Sequence, residues 1–244
     1  MYQNNQKTQS NDCLICYKPL LKDISFVHLI RAMPICPHCL KQFQIIDKTI
    51  SFHHHPLRIL YAYNEFFQSL LFQYKGLYDY ALKDVFLCLY QRELQVKFKN
   101  YIIVVVPSAI EDNLARGFPP VETIAKTISQ NVFTGLYKKE KYKQSDLRYE
   151  ERKQVTEKIG IRNGELLKGK KVLIMDDVIT SGNTLLTCLS LVLSQEPMLV
   201  ELLVLSTKKD INTFVCEKEG DLLFPYFGKK QINIVNCTLY CCTC

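Results

Sequence analysis

Long apolar stretches are missing from this sequence. The longest, YIIVVVP at 101–107, falls far short of the roughly 20 residues of a membrane span, so no spanning segment is expected. Glycine and proline are scarce, nine each, which excludes collagen-like or linker character. The first twelve residues, MYQNNQKTQSND, are polar and hold no apolar stretch of the kind found in secretory leaders. A cytoplasmic chain with reduced thiols is the expectation. No GxxxxGK[ST] pattern occurs, so a Walker-type phosphate loop is excluded.

What is present is ordinary for a folded protein. The 244 residues are 48% hydrophobic and 23% charged, enough to bury a core without disulfides. The length suits one α/β domain with a small appendage. A net charge of +7 permits contact with nucleic acid or phosphate-bearing ligands without establishing either. Part of that charge is local, with seven Lys/Arg against four Asp/Glu between Lys138 and Lys153. A solvated loop or helix face explains that stretch as well as a functional patch does. Eleven cysteines in a reducing compartment need a reason other than disulfides, and metal is the first candidate.

The chain divides into four parts. Residues 1–12 read as a disordered tail, and 13–50 as a small module with little periodic structure. Residues 51–206 alternate strand and helix patterns, and 207–244 form an extension of unknown structure. HHHP at 53–56 closes the small module, and LRILYAYN at 57–64 reads as a strand. EFFQSLLFQYKG at 65–76 reads as an amphipathic helix, because Phe66, Phe67, Leu70, Leu71 and Tyr74 recur at helical spacing. A second helix is expected from Tyr78 to about Leu94. YIIVVVP is a β-branched run suited to a parallel strand buried on both faces. The loop SAIEDNLARGFPP and the helical stretch VETIAKTISQN follow. A polar turn falls at IRNG, 161–164, before the strand KKVLIMDDV at 170–178. The apolar helix NTLLTCLSLVLS at 183–194 and the strand MLVELLVLS at 198–206 complete a βαβ order.

Cys13-x2-Cys16 and Cys36-x2-Cys39 are separated by 19 residues. That is the spacing of a four-thiolate zinc site, in which two knuckles close a tetrahedron with no open position. Such a site stabilises a segment too small for its own core. Four unrelated thiols would not be spaced so regularly, and no βαβ pattern flanks either pair to suggest redox chemistry. His38 lies inside the second knuckle, but four cysteines suffice. Three adjacent histidines, His53, His54 and His55, cannot all face one metal and read as a loop. Cys88 and Cys188 read as small core residues on apolar helices. Cys241-x2-Cys244 has no partner CxxC nearby, only Cys216 and Cys237 at irregular spacing, so a loosely structured extension is expected there in place of a second metal site.

The most informative segment is VLIMDDVITSGNT, 172–184. An apolar strand ends in Asp176 and Asp177, and a small-residue loop then opens a helix. Ligands of open α/β sheets bind at the carboxyl ends of strands. Thr180, Ser181, Gly182, Asn183 and Thr184 supply backbone N–H groups, hydroxyls and a helix N-terminus, which together can cradle a phosphate. The two carboxylates can accept from a vicinal diol, and phosphate plus diol describes a ribose 5-phosphate. An Asp pair capping a turn is the plainer alternative.

The whole pattern resembles the phosphoribosyl-pyrophosphate signature of type I phosphoribosyltransferases. The resemblance implies that Asp176 and Asp177 bind the ribose hydroxyls and that residues 180–184 bind the 5-phosphate. Four further features occur in order: the paired CxxC start, Tyr74-Lys75-Gly76 after an amphipathic helix, a strand ending in VP followed by ARGF, and Gln144-Ser145-x-Leu147-x4-Arg152. Together they resemble the ComF family, phosphoribosyltransferase-like proteins associated with natural competence. The match runs from about Cys13 to Ser206.

The fold this resemblance implies is α/β, a type I phosphoribosyltransferase-like parallel sheet flanked by helices and preceded by a zinc-ribbon-like module. It implies structural zinc on Cys13, Cys16, Cys36 and Cys39, and Mg²⁺ bound with phosphoribosyl pyrophosphate. It places pyrophosphate at Pro107, Ser108 and Ala109, with Arg116 and Arg152 as catalytic cations. A basic hood at 142–154, carrying Arg148, Arg152 and Lys153, would close over the polyanion. The expected activity is pentosyl transfer, with a role in DNA uptake. The alternative is a non-catalytic adaptor contacting a competence helicase, other DNA-uptake proteins or single-stranded DNA. The chain departs from the family in reading RGFPP at 116–120 where RGFNQ is usual, and TSGNT in the phosphate loop in place of TTGAT. The usual Asn after the hood arginine is also absent.

Overall fold

The computed structural model describes residues 12–20, 33–138 and 159–209. The tail before Asp12, the hood at 142–154 and the five cysteines from Cys216 onward lie outside the described residues.

The helices in chain order are α1 (Pro37–Leu40), α2 (Glu65–Gly76), α3 (Gln91–Lys97), α4 (Ile110–Arg116), α5 (Pro120–Ala125) and α6 (Asn183–Leu193). The strands are β1 (Ile45–Phe52), β2 (His55–Ala62), β3 (Tyr101–Val105), β4 (Val132–Phe133), β5 (Leu136–Lys138), β6 (Ile159–Ile161), β7 (Lys171–Ile179) and β8 (Leu199–Thr207). Six strands form one sheet in the order β1-β2-β8-β7-β3-β4. All neighbours in it pair parallel except β1 with β2. Strands β5 and β6 pair antiparallel as a separate ribbon.

The central strands have two apolar faces because both are covered. Leu173 and Met175 of β7 join Ile103, Val105, Leu203 and Leu205 in one core, packed under α2 and α5. Val172 and Ile174 join Val104, Leu202 and Val204 in the other, packed against Leu185, Cys188, Leu189 and Val192 of α6. No helix among the described residues is long and apolar enough to cross a membrane.

The cysteine module is no detached appendage. Cys13, Met33, Ile35, Cys36, Cys39 and Phe43 are buried in the same core as Leu60, Tyr61 and Phe67. The Phe43 ring lies 5.0 Å from Tyr61 and 5.0 Å from Phe66.

Three local expectations are corrected. The loop expected at 108–120 contains α4, a helix with no buried residue, so it carries no apolar stripe by which periodicity could reveal it. The long helix expected from Tyr78 to Leu94 is a 3-10 turn (Tyr80–Asp84), further turns and the start of α3. Tyr78 has φ +65°, and the Asp79 carboxylate accepts from the Ala81 N–H, so the chain restarts instead of continuing. Cys88, expected on that helix, is buried but lies in the turns. The histidine run, expected as a loop, does form one, the turn of the β1–β2 hairpin. Phe52 pairs with His55, and His53 and His54 take φ of +47° and +66°, the two-residue geometry that matches strand twist.

Phe67 is buried and contacts the rings of Phe43, Tyr61, Tyr63 and Phe86. Phe67→Ala is expected to cost about 3–5 kcal/mol in equilibrium urea unfolding. A cost below about 1 kcal/mol would contradict this packing.

Candidate functional site

The four expected metal ligands converge. The sulfurs of Cys13, Cys16, Cys36 and Cys39 all lie within 4.8 Å of one another. Cys16 Sγ is 3.7 Å from Cys36 Sγ, close to the edge of about 3.8 Å of a tetrahedron with zinc–sulfur bonds of about 2.3 Å. The first knuckle closes through the Tyr17 N–H on the Cys13 carbonyl at 2.9 Å. In the second, Cys36 caps α1 and accepts from the Cys39 N–H at 3.5 Å. Burial raises the Cys13 thiol, but N–H groups of Cys16, Cys36 and Ile15 outweigh it and leave the group at about 7. Burial drives the Cys39 thiol upward, and its neighbouring sulfurs add to that. A soft divalent cation would relieve this crowding of thiols, and the donor set fits zinc.

The second constellation sits at the carboxyl end of the sheet. Strand β7 holds Asp176 and Asp177 near its end, and the loop after it leads into α6. Gly182 caps that helix with φ +86°. A Cβ there would lie 3.3 Å from the Phe52 ring, so strain and a close neighbour both favour glycine. Gly182 itself has no side chain with which to cap α6. The Asn183 N–H donates to Ser181 Oγ at 3.3 Å, and Lys209 Nζ donates to the Ser181 carbonyl at 3.1 Å.

Facing this loop is the segment after β3. Together they line a cleft of about 250 Å³. Pro107, Ser108, Ala109, Arg116, Asp176, Asp177, Thr180, Ser181, Gly182 and Thr184 all line it. Asn183 does not line the cleft, and Arg152 lies outside the described residues. Three charged residues not expected at the site also line it: Lys75, Asp112 and Lys138. Asp112 and Lys138 carried no signal as single residues. Lys75 had one, its place in Tyr74-Lys75-Gly76.

The carboxylates are tightly held. Asp176 Oδ1 accepts the Asp177 N–H at 2.8 Å, and Asp177 Oδ1 accepts the Val178 N–H at 2.8 Å. The Lys75 ammonium pairs with Asp177 Oδ2. Burial pushes the Asp176 carboxyl up to about 7, against the pull of Lys75 and Lys138. Burial also pushes Lys75 down to about 8, with Asp176 opposing and Arg116 and Lys138 reinforcing the fall. Arg116 spends Nε on the Lys75 carbonyl at 2.8 Å and Nη1 on Asn113 Oδ1 at 3.4 Å. A desolvated acid pair beside three cations and a helix N-terminus can hold a hydroxylated, phosphorylated ligand.

The family model for the phosphoribosyl transferase domain matches residues 92–218, more than half of the chain. The chain belongs to the phosphoribosyltransferase domain family. Similar solved structures include a purine phosphoribosyltransferase from Pyrococcus horikoshii, 18% identical over 50% of this chain and 74% of that one, at a TM-score of 0.33. A hypoxanthine phosphoribosyl transferase from Trypanosoma cruzi is 11% identical over 50% and 71%, at 0.32. A hypoxanthine-guanine phosphoribosyltransferase from Bacillus anthracis is 17% identical over 57% and 75%, at 0.31. Comparison with curated proteins gives no match.

Metal analysis should find about one zinc per chain, lost in Cys39→Ser together with thermal stability. A content well below one atom would refute the centre. The Asp176 shift also has a signed consequence. An acid raised from 3.8 to about 7 keeps its proton in the fold across that window, so its contribution makes stability fall as pH rises from about 4 to 7. The stability of Asp176→Asn relative to the parent protein should therefore grow over that range in thermal melts. A constant difference would contradict the assignment.

Proposed function

We propose that this phosphoribosyltransferase-family chain is a ComF-like protein that binds Mg-phosphoribosyl pyrophosphate in the β7 cleft. One observation carries the reading. The acid pair, the 180–184 loop and the 107–109 segment, far apart in sequence, line one cleft at the carboxyl end of the sheet.

Asp176 and Asp177 would accept from the ribose hydroxyls. Amides and hydroxyls of Thr180, Ser181, Gly182 and Thr184 would hold the 5-phosphate at the start of α6. Pro107, Ser108 and Ala109 border the space where pyrophosphate would lie, with Arg116 and Lys138 supplying positive charge nearby. The few carboxylates available suit Mg²⁺, which binds through one or two of them plus substrate oxygens and would neutralise the pyrophosphate. Pyrophosphate departure leaves an oxocarbenium-like anomeric carbon. The chain's own contribution is to position the donor and to stabilise the leaving anion. Arg152 belongs to this scheme as a hood cation, on the family resemblance alone.

RGFPP also has a structural part. Pro119 caps α5 and Pro120 opens it, a position where the missing N–H costs nothing. The ComF assignment rests on the ordered motifs from Cys13 to Ser206, and with it come a cytoplasmic setting, the zinc-module boundaries and a role in DNA uptake. The adaptor reading, with protein or single-stranded DNA contacts, is favoured by Arg116. Its Nε and Nη1 are already engaged within the protein.

Calorimetry with Mg²⁺ and phosphoribosyl pyrophosphate tests the pocket. Saturable binding is expected, weakened at least about tenfold, or about 1.4 kcal/mol, in the double variant Asp176→Asn/Asp177→Asn. No binding by folded, zinc-loaded protein would overturn the reading. Pyrophosphate release with a panel of bases would mark the transferase, and binding without release the adaptor.

A further inference from the structure

Lys75 reaches the cleft from α2 (Glu65–Gly76), which precedes the family-matched segment 92–218. Its backbone is fixed on both sides. The neighbouring Tyr74 is fully buried, and its hydroxyl donates to the Pro120 carbonyl at 2.9 Å and meets the Thr123 hydroxyl. The Tyr74 ring packs 5.1 Å from Phe118 and 5.2 Å from Phe86. Arg116 Nε donates to the Lys75 carbonyl itself. The end of α2 is thus bolted to the start of α5, and Lys75 lines the cleft.

There the ammonium meets Asp177 Oδ2 while the Val178 N–H holds Oδ1. Both oxygens of a carboxylate only 8% exposed are therefore oriented. A fold that needed only packing here gains little from such a pair, because apolar residues of the same volume serve stability equally well. A site that needs an ionised, fixed acceptor gains what apolar residues cannot supply.

We propose that Lys75 is a positioning residue of the ribose site: its ammonium holds the Asp177 carboxylate in place, aimed at a hydroxyl of the bound sugar. The inference rests on the ribose-phosphate reading above and adds to it the source of its hydroxyl selectivity. A carboxylate held from two sides is a directional acceptor. A sugar lacking the matching hydroxyl leaves that buried acceptor unanswered, which is how such sites discriminate.

The probes are ribose 5-phosphate and its 2-deoxy and 3-deoxy analogues, titrated by calorimetry into full-length, zinc-loaded protein. The parent protein should prefer ribose 5-phosphate over at least one analogue by about tenfold or more. Lys75→Met should cut that preference to below about threefold, and Lys75→Met/Asp177→Asn should be no less selective than Lys75→Met alone. The selectivity ratio separates positioning from a merely structural role, which would weaken all three sugars alike. Should Lys75→Met fail to fold, Lys75→Gln keeps a polar group in the cleft and is read the same way. Full preference retained in a folded Lys75 variant would overturn the inference while leaving the pocket standing, as would a parent protein that binds all three sugars equally. Failure of the parent protein to bind either ribose 5-phosphate or phosphoribosyl pyrophosphate would overturn the pocket reading and this inference with it.

Discussion

Strand β7 runs through the middle of the protein with apolar cover on both faces, and near its carboxyl end it carries two carboxylates that cannot be fully hydrated. Val172, Leu173, Ile174 and Met175 have no exposed surface, and the next two residues are Asp176 and Asp177. A buried carboxylate must take a proton, a hydrogen-bond donor or a counter-ion. This chain uses all three. Asp176 is pushed toward its protonated form, each acid accepts the N–H of the residue after it, and Lys75 faces Asp177. The surrounding architecture follows from that need. Helix α2 delivers the lysine, α5 anchors the end of α2 through Tyr74, and Arg116 of α4 closes on the Lys75 carbonyl.

Much of this was legible in the sequence where chemistry and periodicity agreed. YIIVVVP and KKVLIMDDV read as strands buried on both faces because nothing polar interrupts them, and β3 and β7 lie there. The paired CxxC knuckles announced a cluster because few arrangements other than a metal centre need that spacing. The acid pair and the TSGNT loop are adjacent in sequence, so their meeting needed no tertiary knowledge. Features made by tertiary contact were not legible. Helix α4 exposes Ile110 and Leu114 and shows no stripe. Strand β1 buries only Ile50 and Phe52 and reads as aperiodic. The His53-His54 turn lacks the Asn-Gly chemistry that usually marks such hairpins. The role of Lys75 arises from a helix about a hundred residues before its partner, a contact no local pattern encodes.

The cysteine module belongs to the same physical argument. It buries Cys13, Cys36 and Cys39 against the face of the sheet that α2 covers. Zinc there would stiffen the segment that carries Phe43, whose ring meets Tyr61 of β2 and Phe66 and Phe67 of α2. The module and the cleft share a helix, with the module near its start and Lys75 near its end. Loss of metal would therefore be felt first in the seating of α2.

The most direct test of the account is a crystal structure of the protein with Mg²⁺ and phosphoribosyl pyrophosphate. The account predicts ribose hydroxyls on Asp176 and Asp177, with Lys75 still beside Asp177, and the 5-phosphate on the amides of residues 180–184. A donor bound elsewhere, or turned so that the acids face its phosphates, would contradict it.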